Sequence, residues 1–155
     1  MKLNEEGGCF TRFLLLEKIM SINTVPASRV TPEKIERLGE REIFVFGSSL
    51  MGVHFGDAAR VAYDKFGAGG VSEGLKGSTY AIPVVRAGID MVKPHIEAFL
   101  SFARSHTEYR FFVTRIGCGI AGFTDEDIAP LFAVAVGMEH VTLPASFWEV
   151  LQRKG

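Results

Sequence analysis

Cysteine is scarce in this chain. Only Cys9 and Cys118 occur among 155 residues, and no metal-ligand spacing such as C-x-x-C accompanies them. A disulfide scaffold and a cysteine-ligated metal centre are thereby excluded, and the pattern suits a reducing cytoplasm. Excess charge is also missing. Seventeen Lys and Arg offset eighteen Asp and Glu, for a net charge of −1. No global basic field exists to gather nucleic acid or an anionic membrane. Nor does any apolar run approach the roughly 18 residues of a membrane span, and Phe13 to Leu16 is too short and poorly flanked for a signal peptide. Repeats and low-complexity stretches are absent, and the length allows one domain without separate cofactor and substrate lobes.

What remains is a globular chain, 47% hydrophobic, with 17 glycines and 13 phenylalanines. Periodicity is slight before Thr31. Residues 1–29 read as a weakly ordered extension, with Met20 a second plausible start, and residues 30–155 as a single domain. Thr31-Pro32-Glu33 predicts a short capped helix ending at Gly39. EIFVF at 42–46 predicts a strand, and apolar positions 58, 59, 62, 63 and 66 predict an amphipathic helix over 55–66. A strand at 80–85 carries Pro83, which should end it or put it at an edge. Pro94 suits the first turn of a helix through Arg104, and Arg110 to Ile116 forms the third strong strand. Thr124 and Asp127 read as a capping pair, with Pro130 shortening the helix or opening its main part. Val141 to Leu143 is a final short strand, and Ser146 caps a last helical turn. This alternation predicts an α/β fold with glycine loops beyond the strand ends, where ligands of open α/β sheets bind.

Three such loops are candidates to converge: Gly47 to Asp57, Gly67 to Gly77, and Gly117 to Gly122. In FFVTRIGCGIAGFTDEDIAPLF, residues 111 to 132, a strand runs into three glycines and then an acidic helix start. Backbone N–H groups in such a turn suit a phosphate or diphosphate. The Gly117-x-Gly119-x-x-Gly122 spacing also matches a dinucleotide fingerprint. That fold needs an acidic residue after the second strand. Glu139 instead precedes the next apolar run.

IFVFGSSLMGVHFGDAARVAYDKFGA, GLKGSTYAIPV and FFVTRIGCGIAGFTDEDIAPLF, in that order, resemble the small bacterial and phage macrodomain-like proteins. More distantly they resemble macrodomains of the terminal ADP-ribose glycohydrolase type. The resemblance covers roughly residues 30 to 150 and implies a three-layer α/β/α fold with a mixed, mostly parallel central sheet. It further implies a cleft for ADP-ribose or a related nucleotide-sugar, with no metal and no redox cofactor. Gly47, Ser48, Ser49, Gly52 and Gly56 would line its ribose side. Gly117, Cys118, Gly119, Ile120 and Gly122 would face the diphosphate and distal ribose. Read from the residues themselves, Arg115 is either an anion clamp or a solvent-facing strand residue, and Phe123 either a stacking ring or part of the core.

Departures from the family pattern bear on catalysis. Ser49 stands where asparagine is expected, and Phe55 and Asp57 replace glycines. Ala121 occupies the position of the family's acid, and PVVRAG after Ile82 offers no counterpart to its lysine nucleophile. A lysine-plus-acid mechanism does not transfer. His54 and Asp57 are the remaining acid and base candidates. Two alternatives to simple binding stay open: an ADP-ribosyl hydrolase acting on modified macromolecules or small derivatives, and a ligand-free protein-interaction domain with a closed cleft.

Overall fold

The computed structural model describes residues 25–48, 57–69, 73–84, 88–118 and 122–154. Among them, five strands form one sheet in the order β2-β3-β1-β4-β5: β1 (Glu42–Ser48), β2 (Gly74–Lys76), β3 (Thr79–Pro83), β4 (Arg110–Val113) and β5 (Val141–Thr142). β1 lies at the centre, parallel to β3 and β4, and β4 is parallel to β5; only β2 runs antiparallel, against β3. The fold is α/β with a mixed, mostly parallel sheet.

Alternation along β1 sets the layers. Ile43 and Val45 join the larger core with Tyr80, Ile82, Phe111 and Val113, while Phe44 and Phe46 face the other way. α1 (Asp57–Lys65) covers the second face with Ala59 and Ala62. α2 (Ile89–Ser105), a 3₁₀ helix over Ala129–Gly137 and α4 (Ala145–Lys154) cover the first. Burial on both faces accounts for the unbroken apolar run of β1, as parallel strands between helices require. Phe99 is the centre of the larger layer. Its ring lies 5.0 Å from Tyr80, 5.4 Å from Phe111 and 6.3 Å from Phe132, centroid to centroid.

Residues 25–29, which the sequence reading places in the extension, dock on the β5 side of the sheet. The Arg29 guanidinium donates to the carbonyls of Ala135, Met138 and Val141 at 3.0, 2.9 and 3.2 Å, and lies 5.3 Å from the Trp148 ring centroid. Val30 bridges Leu143 in parallel, and Arg110 donates to the Ser28 carbonyl. Residues 1–24 lie outside the described residues.

Several local expectations change. The predicted helix over 31–39 is absent, because Thr31 is used elsewhere: its amide bonds the Leu143 carbonyl at 2.9 Å and its hydroxyl meets Thr142 Oγ1 at 2.8 Å. A buried bridge residue cannot also cap a helix. α2 starts at Ile89, with Gly88 as N-cap and Asp90 in the first turn, so Pro94 falls inside it. The exposed Pro94 leaves the Asp90 carbonyl without its intrahelical donor. β4 ends at Val113, short of Ile116, because the chain turns after Thr114. Pro83 is the last residue of β3, as expected of a strand-ending proline.

Candidate functional site

β1 leads through α1 toward β3 on one side of the sheet, whereas β4 leads toward β5 on the other. The chain leaving these adjacent parallel strands diverges at their C-terminal ends, the switch point at which open α/β sheets bind their ligands. Two of the three glycine loops start here. A Cβ on Gly47 would lie 2.9 Å from Val84 Cγ2, 3.4 Å from Ile116 Cγ2 and 3.6 Å from the Gly117 amide nitrogen, so the glycine lets β1 pack closely against these side chains with the Gly117 backbone nearby. Thr114 fastens the loop starts together, its hydroxyl donating to the Val45 carbonyl at 2.7 Å. Ser48 ends β1, only 4% exposed, and its carbonyl accepts the Val84 amide at 2.8 Å.

The third loop does not converge. Gly77 sits beside Gly67, whose carbonyl oxygen would be 2.9 Å from a Gly77 Cβ, at the start of β3. Thr79 there pairs with Phe44, while the switch point lies at the other end, where Pro83 pairs with Ser48. A hairpin turn reads in sequence like a ligand loop; pairing register separates them.

Gly117 and Gly122 have φ of 78° and 84°, the left-handed conformation glycine adopts freely. The Phe123 amide closes the neck of their loop on the Gly117 carbonyl at 2.9 Å. The Cys118 amide is committed to the Arg115 carbonyl at 3.2 Å, whereas the Gly117 amide bonds to none of the described residues. Phe123 is half-buried and packs beneath Gly117 against the larger core. This packing is the core role that the sequence leaves open for Phe123.

Beyond the neck, α3 (Asp125–Ile128) opens with the capping box expected from Thr124 and Asp127. Thr124 Oγ1 accepts the Asp127 amide at 3.2 Å, and Asp127 Oδ2 accepts the Thr124 amide at 3.0 Å. Pro130 then opens the 3₁₀ segment. Arg115, foreseen as an anion clamp, instead holds Asp125 through a two-pronged pair at 3.1 and 2.9 Å. Ser146, foreseen as a helix cap, donates to Asp125 Oδ1 at 2.9 Å from the first turn of α4, and the Cys118 sulfur lies 3.6 Å from both that oxygen and the Ile116 carbonyl, with one proton to share between them. Sequence offered no sign of this junction, since the partners of Asp125 are up to 21 positions away.

The junction fixes the charge states. Burial works against the Asp125 carboxylate, but the hydrogen bonds from Arg115 and Ser146 and the Arg115 charge outweigh it and hold its pKa below the usual carboxylate value. Its stabilisation is therefore complete above that usual value and is lost as pH falls through the depressed one. Burial, then the Asp125 charge, pushes the Cys118 thiol from 9.0 up to about 12. Neutral Cys118 favours the fold at neutral pH, and that contribution is lost as pH rises from about 9 to about 12. In native protein, iodoacetamide should alkylate Cys118 far more slowly at pH 8 than in urea, with no plateau in rate below pH 10. A native plateau near pH 9 would show the thiol to be unshifted.

Ser49, Gly52, His54, Gly56, Gly119 and Ile120 lie outside the described residues. Asp57 is the first residue of α1. Among the described residues, no group of three or more His, Cys, Asp and Glu is placed to hold a metal ion, and no helix is long and apolar enough to cross a membrane.

No family model, curated protein or solved structure matches this chain. Fold and local geometry therefore carry the functional reading.

Proposed function

We propose that a crevice at the C-terminal ends of β1 and β4 binds ADP-ribose or a related nucleotide-sugar, in the manner of the macrodomain-like proteins the sequence resembles. The observation that supports this reading is the divergence of the chain after the adjacent parallel strands β1 and β4, with Gly47 and Gly117 near each other at that point. Such a place admits a diphosphate close to main-chain amides, and the Gly117 amide points to one donor. Arg115 serves the loop's internal charge balance, so recognition rests on backbone groups more than on a side-chain cation. The reading assigns a small nucleotide as partner in the cytoplasm, without metal or redox cofactor, and binding as the primary activity.

Calorimetric titration with ADP-ribose, with AMP, ADP and NAD as comparators, tests it. The expected result is saturable binding, at least about tenfold tighter for ADP-ribose than for AMP, equivalent to about 1.4 kcal/mol. At a hundredfold excess over Kd the ligand should stabilise the fold by about 2.7 kcal/mol. No heat and no thermal shift with any of the four would refute the proposal and favour an interaction domain without a nucleotide ligand. Should ADP-ribosyl substrates turn over, loss of that turnover with binding intact in both His54→Ala and Asp57→Asn would assign the acid and base.

A further inference from the structure

Three side chains from two segments, the turn after β4 and the start of α4, meet on one carboxylate. Arg115 follows β4, Cys118 belongs to the glycine loop, Asp125 itself opens α3, and Ser146 stands in the first turn of α4. Asp125 Oδ1 accepts from Arg115 Nε at 3.1 Å and Ser146 Oγ at 2.9 Å, with Cys118 Sγ 3.6 Å away and equally near the Ile116 carbonyl, while Oδ2 accepts from Arg115 Nη2 at 2.9 Å. Asp125 is 20% and Arg115 56% exposed, so the Arg115 pair is open to water while the Ser146 and Cys118 contacts are part-buried; the two-pronged Arg–carboxylate geometry still fixes orientation. On its inner side the same loop is wedged by Phe123 and Ile128, each 3.2 Å from where a Gly117 Cβ would stand.

We infer that Asp125 is the positioning residue of the glycine loop: it touches no ligand, and it tethers the loop to β4 and α4 so that the backbone at Gly117 and Cys118 keeps one arrangement. This deepens the nucleotide-binding reading and rests on it only for the ligand's identity. A loop held in its binding geometry loses less entropy on binding. The carboxylate beside the crevice is at the same time neutralised by Arg115, which removes the repulsion it would exert on a diphosphate.

The test uses the full chain carrying Cys9→Ser, so that Cys118 is the one thiol read. Its alkylation by iodoacetamide is followed against pH, beside ADP-ribose titrations, in Asp125→Asn, Ser146→Ala and, as a core control, Leu151→Ala. Asp125→Asn and Ser146→Ala should each shift the alkylation profile to lower pH, with about a tenfold faster rate at pH 8 in Asp125→Asn, since each unit of pKa changes the thiolate fraction tenfold. Both should weaken ADP-ribose binding, by about tenfold in Asp125→Asn. Leu151→Ala should lower Tm without moving the profile.

An unmoved profile in Asp125→Asn overturns the inference. So does a shift in Asp125→Asn without one in Ser146→Ala, which would reduce the effect to the charge felt by the thiol, and so does an equal shift in Leu151→Ala, which would make it global loosening. If Asp125→Asn does not fold, Ser146→Ala against Leu151→Ala decides alone. Alkylation is read without nucleotide. A shifted profile in a protein that binds no ADP-ribose would thus leave the tether standing and remove the nucleotide reading alone.

Discussion

Phe99→Ala should lower the unfolding free energy by about 3–5 kcal/mol, the usual cost of emptying a fully buried aromatic site. Phe99 is 0% exposed, and its ring meets Tyr80 from β3, Phe111 from β4 and Phe132 from the 3₁₀ segment. Those neighbours belong to three elements already held by the sheet, so collapse around the missing ring is limited and most of the cavity persists. Edge-to-face geometry at Phe111, 84° between planes, adds a contribution that a smaller side chain cannot replace. Against a total stability of about 5–15 kcal/mol the loss is large. Urea denaturation should show a lower midpoint with an unchanged slope. A loss below about 1 kcal/mol would mean that the helical layer repacks freely and that Phe99 is not its centre.

The parts of this fold that sequence made legible are those whose cause is local. EIFVF is strand-like because branched and aromatic residues run together, and it became β1 between two helical layers. The Thr124–Asp127 cap was readable because both partners sit within one turn. Thr31 failed for the opposite reason. Its local neighbours favour a helix start, but Thr142, 111 positions away, pairs with its hydroxyl and wins. The loop of Gly67 and Gly77 failed similarly, since only the register of β3 on β1 puts it at the far end of the sheet. In the candidate site, the strand-like runs before Gly47 and Gly117 made it legible that these glycine segments follow β1 and β4. The roles of Arg115, Cys118 and Ser146 were not readable, for each depends on a carboxylate brought to it by tertiary packing.

Gly117→Val should cost about 3 kcal/mol or more and remove tight ADP-ribose binding, whereas Gly122→Ala should cost only about 1–2 kcal/mol. Both glycines have positive φ, 78° and 84°, where a side chain adds about 1–2 kcal/mol of backbone strain. Their surroundings differ. A Cβ on Gly117 would press to 3.2 Å against both Phe123 and Ile128, and Ile128 is fully buried and cannot yield outward. Valine then adds two methyl groups to a packed site, an overpacking cost of about 1–3 kcal/mol. No atom of the described residues lies within 4 Å of a Cβ on Gly122, so among them strain acts without a steric clash. Relief at Gly117 requires the loop to shift relative to Phe123 and Ile128, and the Gly117 nitrogen, 3.6 Å from a Cβ position on Gly47, shifts with it. The backbone surface offered to a diphosphate would be lost even where the domain stays folded. Urea denaturation and calorimetry on both variants separate the two effects. Equal stability losses at 117 and 122 would deny the wedge, and undiminished ADP-ribose affinity in a folded Gly117→Val protein would move the ligand out of this crevice.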